Sequence, residues 1–391
     1  MKRIVSVVIC IALLAFSLVA CASEPAQAPA EPAEQPSATQ APEPAEPADT
    51  DTGAGGPPTM ASGEYAMPEK PFKVGFSNGM IGNGWRNEMT DDIIRLAELY
   101  KERGWVESIN VQHAGVDNNA QIQHIRAMIQ EGCDLIVCDP NSMDAMNPVM
   151  EEAVAAGILV ISTDQGVTST QVLNVKTDYA EWNAELARWL CDKLGGEGDI
   201  IMVSGIAGHS ANVERVTACM EVLEQYPGIN LLTEVNGNWD QSVAQQAVAS
   251  VLSSYPNIDG VLGQDGHMLG TIQAFEAAGR ELPLMSGETM KGFLVKWQEL
   301  KDTSDFETMG LLNPPGVSAT ALGIGCRLLL GYEFKDGVIT DANGVRSYFQ
   351  PFAEPITNSN LDAYLETLVA QSDAYYPDYY LSEEELDALF N

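Results

Sequence analysis

Ile158-Leu159-Val160-Ile161-Ser162-Thr163-Asp164-Gln165-Gly166 is a short, continuous apolar run that stops at a polar pair and a glycine. A run of this length bounded by turn residues fits a strand buried on both faces, as in a parallel sheet. The polar pair then stands at the strand's carboxyl end, where open α/β sheets take their ligands.

The pattern on either side alternates in the same way. Phe72 to Ser77 reads as a strand, Asn78 to Asn83 as a Gly/Asn loop, and the stretch to about Lys101 as a helix. Ser108 to His113 is strand. Ile122, Ile125, Met128 and Ile129 fall on one helical face, Leu135 to Cys138 is strand, and Val149, Met150, Ala153 and Val154 mark a helix that ends at Gly157. Val172 to Val175 is a further short strand. This β-α-β succession is the pattern of a doubly wound parallel sheet. It then starts again. Helices are marked by Trp182 to Leu190, by Val213, Val216, Met220 and Leu223, by Val243 to Leu252, by Met268 to Ala278, around Trp297 and by Val317 to Leu330. Strands are expected at Ile200–Val203, Ile229–Val235, Val261–Leu262, Leu284–Ser286 and Thr308–Leu312. Two similar α/β lobes follow, joined by strands rather than by a Pro-rich break. The first is expected over 71–176 with part of about 313–341, and the second over 177–312 with part of about 342–391. The tail from Tyr332 is aromatic and acidic, and closes on a helix opened by a capping box at Ser382-Glu383-Glu384-Glu385.

The 391 residues carry a net charge of −35, and 45% of them are hydrophobic. That is enough apolar material for two packed domains. A surface this acidic repels phosphate backbones, so no nucleic-acid partner is expected. At the amino end, Lys2 and Arg3 precede an apolar run from Ile4 to Ala20, which reads as a secretory signal over residues 1–20. It ends in Leu18-Val19-Ala20-Cys21 and is similar to a bacterial lipoprotein signal, with Cys21 as the lipidated residue. The other reading is an uncleaved anchor, for which the run is barely long enough. From Ala22 to about Lys70 the sequence is rich in Ala, Pro, Glu, Thr and Gly and reads as an extended, disordered spacer. A lipid-tethered domain at the extracytoplasmic face of the cell membrane is therefore expected. The seven cysteines show no Cys-x-x-Cys, and the histidines at 113, 124, 209 and 267 show no metal spacing. No disulfide framework, metal or cofactor is expected; a Cys133–Cys138 bridge stays open beside buried free thiols.

Polar and aromatic residues recur just past the strand ends in both halves: Asn83, Trp85 and Arg86; Asp139; Asp164 and Gln165; Asn212 and Arg215; Trp239; Asp265; Glu288; Asn313. Neutral sugars need this mixture, because their apolar ring faces stack on aromatic rings and their hydroxyls need planar donors and acceptors. Singly, each such Asp or Asn is as well explained as a turn former or a helix cap, and each Trp as packing.

These residues resemble those of the type I periplasmic sugar-binding proteins of ABC importers, the ribose-binding-protein class. The resemblance covers Phe72 to about Leu330. It is carried by Val74-Gly75-Phe76-Ser77 with Asn83-Gly84-Trp85, by Asp139-Pro140-Asn141-Ser142-Met143-Asp144-Ala145, by Val160 to Asp164, by Gly205-Ile206-Ala207-Gly208 running on to Arg215, and by Gln264-Asp265-Gly266-His267-Met268. It implies two lobes closing over a sugar, an ABC permease as partner, a monomeric binding protein without enzymatic activity, and ligand contacts at the positions named. Three departures speak against ribose itself: Gln165 stands where the pentose binders hold an arginine, Arg86 replaces a second aromatic of the first loop, and Glu288 lengthens an aspartate.

Three other functions share parts of this signature. Gly208-His209-Ser210-Ala211-Asn212 nearly spells the nucleophile elbow of hydrolases, but Asn212 stands where the last glycine belongs. A sugar-responsive repressor needs a basic helix-turn-helix where this chain has an export signal. A sensor that presents its ligand to a receptor kinase has the same sequence signature as a transporter component.

Overall fold

The computed structural model describes residues 66–391. The signal sequence, Cys21 and most of the expected spacer lie outside the described residues. The first described residues are fastened to the chain behind them: the Trp105 indole donates to the Ala66 carbonyl (3.1 Å), and Lys70 pairs with Asp134 (3.0 Å).

The first lobe is built from β1 (Phe72–Asn78), α1 (Gly84–Arg103), β2 (Val106–His113), α2 (Asn118–Glu131), β3 (Leu135–Asp139), α3 (Asn147–Ala155), β4 (Leu159–Thr163) and β5 (Leu173–Thr177). The second has α4 (Tyr179–Lys193), β6 (Glu197–Ser204), α5 (Ser210–Leu223), β7 (Gly228–Asn236), α6 (Gln241–Leu252), β8 (Gly260–Gly263), α7 (Met268–Ala277), β9 (Leu284–Met285) and α8 (Lys291–Thr303). The first sheet has seven strands and runs β2-β1-β3-β4-β5 before the additions described below; the second runs β7-β6-β8-β9. All these pairings are parallel. Strands β3 and β5 are buried along their whole length, which explains the continuous apolar run Leu135 to Cys138 in β3; in β5 the buried polar groups Asn174 and Lys176 bond to Val167 and Glu214. The strand order reverses between β1 and β3 and again between β6 and β8. Those two switch points, seen from the carboxyl ends, are where a doubly wound sheet leaves a crevice.

The chain then returns to the first lobe as α9 (Val317–Leu329), which packs on β3, β4, β5 and α1. The approach is close at Gly325, where a Cβ would lie 2.6 Å from a Leu135 methyl and 3.2 Å from Ile161 Cδ1. The hairpin β10 (Thr340–Ala342) and β11 (Val345–Gln350) adds to the first sheet, with β11 parallel to β5. Its turn is Asn343-Gly344, both with positive φ (56° and 85°), as a two-residue hairpin turn requires. Then α10 (Leu361–Thr367) packs on α8, and α11 (Glu383–Ala388) on α9. Helix α11 opens with the expected capping box between Ser382 and Glu385.

Three features differ from the sequence reading. Thr308–Leu312 belongs to neither sheet: it passes between the lobes, forms an isolated bridge from Gly310 to Ile356, and accepts the Gly287 N–H on the Met309 carbonyl (2.7 Å). The β10–β11 hairpin and α10 were read as undivided tail; of the stretch beyond 342, β11 joins the first sheet while α10 lies on the second lobe. On α5 the apolar marks Val213 and Met220 are exposed, and the buried face is Ala211, Arg215, Ala218, Cys219 and Val222. Cys133 and Cys138 are buried free thiols. Among the described residues no helix is long and apolar enough to cross a membrane.

Overpacking at Gly325 gives a test of this arrangement. Gly325→Val forces α9 away from β3 and β4 and is expected to cost about 1–3 kcal/mol. A chemical-denaturation midpoint equal to that of the unaltered protein contradicts the close packing.

Candidate functional site

Asn83 opens α1 by accepting the Arg86 N–H on its side-chain oxygen (2.8 Å), which sets Trp85 and Arg86 on the first helical turn. The Arg86 guanidinium lies between two strand ends. It pairs with the Asp139 carboxyl at the end of β3 and with Asp164 Oδ2 (3.3 Å) just past β4, and all three side chains are buried. Asp164 has a positive φ of 57°, a strained conformation for a residue with a Cβ. Its carboxylate accepts from the Tyr179 hydroxyl and from Gln165 Nε2 (2.7 Å).

Gln165 also reaches into the other lobe. Its Oε1 accepts from Ser210 Oγ (2.6 Å) and from Ala211 N (3.0 Å), at the amino end of α5. That end of a helix has free N–H groups and a partial positive charge, so a carbonyl oxygen is well placed there. The neighbouring Lys176 of β5 pairs with Glu214 of α5 (2.5 Å), a second bond across the cleft. Gln165 borders the cavity, but its carbonyl is engaged by protein donors. Its carbonyl joins the lobes and its amide supports Asp164.

The opposite wall rests on Arg215 of α5. Its Nη1 donates to Asp265 Oδ1 (2.6 Å), and its guanidinium lies over the rings of Tyr179 (4.2 Å) and Trp182 (4.7 Å). Asp265 Oδ2 accepts from Asn313 Nδ2 (2.8 Å), and the Asn313 carbonyl accepts from the Trp85 indole (2.8 Å). A residue on the segment between the lobes thus ties the aromatic of one wall to the carboxylate of the other. Trp239 also has a positive φ, 55°, rare for a bulky residue. It is held by hydrogen bonds from its backbone N–H to His267 Nε2 (2.7 Å) and from its indole to Gln264 Oε1 (2.8 Å). A Cβ at Gly205 would overlap this indole, so a glycine is needed there. Burial first, and for His209 the Arg86 charge next, push His209 and His267 down to about 4. Both imidazoles are neutral at pH 7.

These walls enclose a cavity of about 410 Å³ counted to its mouth. Of the expected site residues, Asn83, Trp85, Arg86, Asp164, Gln165, Arg215, Trp239, Asp265 and Asn313 line it. The other three stand behind it. Asp139 backs Arg86. Asn212 accepts from Gly205 N (2.6 Å) and Gln264 Nε2 (2.8 Å), joining the ends of β6 and β8. Glu288 accepts from His267 N (3.0 Å) and Leu269 N (3.4 Å) and so caps α7 from a distance. Met80, Tyr179, Ala211 and Tyr376 line the cavity without having been singled out in the sequence. Tyr179 follows a strand end and obeys the same rule as the others; Tyr376 sits in the tail, where no pattern points to it. Ser210 of the elbow-like segment is the first residue of α5 and spends its hydroxyl on Gln165. No histidine hydrogen-bonds to it among the described residues.

The Glu288 carboxyl is fully buried, and burial, then the nearby Asp265, push its pKa up to about 7. Its folded value lies above its unfolded one, so this group stabilises the fold below about pH 4.5 and that stability is lost as pH rises through 7. Glu288→Gln is expected to melt a few degrees above the wild-type protein at pH 7.5, with the gap closing by pH 4.5. A gap that does not change with pH refutes the assignment.

A model described as a periplasmic binding protein domain matches residues 74–332. Among curated proteins, a xylitol-binding protein of Mycolicibacterium smegmatis is 26% identical over 67% of this chain and 72% of its own length. A ribose import binding protein of Bacillus subtilis is 23% identical over 63% and 79%. Among solved structures, an ABC transporter solute binding protein from Thermobispora bispora superposes with a TM-score of 0.71 at 25% identity, covering 81% of this chain and 94% of that one. The two-lobed fold, its crevice at both switch points and the extent of the matching domain make this chain a member of the periplasmic binding protein family, whose members bind solutes outside the cytoplasm rather than transform them.

Proposed function

We propose that the chain is the solute-binding component of an ABC importer and closes its lobes over one neutral, polyhydroxylated ligand of monosaccharide size. The observation that carries this reading is the pairing of charges in the cavity wall. Arg86 is matched by Asp139 and Asp164, and Arg215 by Asp265, before any ligand enters. An anion would have to compete with Asp265 for Arg215, and a cation with the arginines for the carboxylates. Hydroxyl groups can use the remaining lone pairs and N–H groups without breaking either pair; Arg215 Nε, for one, is buried without a partner among the described residues. The faces of Trp85 and Trp239 suit the apolar faces of a sugar or a cyclic polyol. The names of relatives as binders of xylitol and ribose agree with this class of ligand.

Closing brings Gln165 to α5 and Lys176 to Glu214, so the ligand shifts the population toward a form in which the two lobes share one surface. That surface is what a permease would recognise. The protein would work as a monomer, held at the outer face of the membrane by lipid on Cys21 and a spacer of about fifty residues.

Two experiments test the reading. In a thermal-shift panel of pentoses, hexoses, xylitol and myo-inositol, at least one compound is expected to stabilise the protein, by about 2.7 kcal/mol at a hundredfold excess over its Kd. Asp164→Ala should abolish that response while the ligand-free protein stays folded by circular dichroism. A response to an unrelated solute class alone refutes the sugar reading, and an unchanged affinity removes Asp164 from the site. In cells, Cys21→Ala should move the protein from the membrane fraction to the soluble one; retention on the membrane refutes lipid anchoring.

A further inference from the structure

The tail between α10 and α11 crosses from one lobe to the other. At its start, the Gly292 N–H donates to the Asp373 carbonyl (2.8 Å) and the Lys291 N–H to the Tyr375 carbonyl (2.9 Å), both at the opening of α8 in the second lobe. A few residues on, Asp378 Oδ1 accepts from Gly316 N (2.6 Å) and Leu381 N donates to Thr320 Oγ1 (3.2 Å), both on the first lobe. Tyr376 stands between these two attachments. It lies beyond the segment matched by the family model, which ends at residue 332.

Two glycines on opposite lobes make room for it. At Gly84, which starts α1, a Cβ would lie 3.5 Å from the Tyr376 ring and 2.5 Å from the Ala374 carbonyl oxygen. At Gly266, just before α7, a Cβ would lie 3.4 Å from the Tyr376 hydroxyl. The side chain is only 8% exposed and borders the cavity. Its hydroxyl makes no hydrogen bond among the described residues, whereas the Tyr179 hydroxyl facing the same cavity is engaged by Asp164. A hydroxyl that borders a binding cavity and is not engaged by protein groups is free to meet the ligand. Burial, reinforced by the carboxyl groups of Glu288, Asp265 and Asp240, keeps this phenol protonated. It can therefore serve as a donor.

We propose that Tyr376 is a ligand-contacting, specificity-determining residue, and that its hydroxyl donates a hydrogen bond to the ligand oxygen at the Asp265 end of the cavity. The proposal rests on the reading of the cavity as a site for a polyhydroxylated ligand. The tail is then part of the binding site: it seats Tyr376 where the two lobes meet, and the residue selects for a ligand with an acceptor at that one position.

The test is isothermal titration of the full chain and of Tyr376→Phe, which keeps the ring and the tail's attachments to both lobes. The probes are the tightest binder from the sugar and polyol panel and its single-deoxy derivatives. Tyr376→Phe is expected to bind the parent compound about 5- to 10-fold more weakly. One deoxy derivative should bind both proteins equally, because the coupling is confined to one hydroxyl. The melting temperature of the ligand-free variant should not fall, since no protein contact is lost. Tyr376→Phe binding the parent as the wild type does, or losing the same factor with every derivative, overturns the proposal while leaving the sugar reading intact. If the wild-type protein binds no member of the panel, the sugar reading fails and this proposal falls with it.

Discussion

Each buried arginine of this site must be neutralised by a carboxylate that belongs to a different strand end. Arg86 comes from the first turn of α1, and its partners from the ends of β3 and β4; Arg215 comes from α5, and Asp265 from the end of β8. An unpaired guanidinium in a site this closed would cost several kcal/mol. The pairs can form only if neighbouring strands end level with one another on the same edge of the sheet. The parallel order of both sheets meets that condition, and the positive φ at Asp164 and Trp239 shows the backbone bending to complete it. Strain of this kind persists where the surroundings hold it in place. Here they do so with the Tyr179, Gln165, His267 and Gln264 hydrogen bonds.

Much of this was legible because a parallel strand advertises both of its ends. It is apolar throughout and then abruptly polar, so Asp164, Asp265, Arg215 and the Asn83–Arg86 turn could be placed on one edge from residue order alone. The same rule could not tell a residue that faces the ligand from one that supports it. Glu288 and Asn212 carry suitable groups at suitable places, yet backbone N–H groups at the start of α7 and at Gly205 claim them. Gln165 stands past the end of β4 as the same rule expects, and borders the cavity, but residue order does not show that its carbonyl also meets the open end of α5.

The errors in the fold have the same origin. Thr308–Leu312 is as apolar as a strand, but it is buried where the chain passes between lobes, and its backbone bonds go to Gly287 and Ile356 rather than to a sheet ladder. The β10–β11 hairpin did carry a signal, the Asn343-Gly344 turn, which the polar composition around it masked. Tyr376 carried none, because nothing local distinguishes a tyrosine that fills a cavity from one that covers a surface.

The fastening of the first described residues has a mechanical consequence. Ala66 and Lys70 are held by Trp105 and Asp134, at the amino-terminal edge of the first sheet, whereas the cavity opens at its carboxyl edge. The seven residues of β1 separate the two by roughly 23 Å. A pull exerted through the preceding chain therefore loads the first lobe as a rigid body and exerts no leverage on the cleft. The bonds across the cleft, from Gln165 to α5 and from Lys176 to Glu214, stand at the far end of that strand and take none of that load directly.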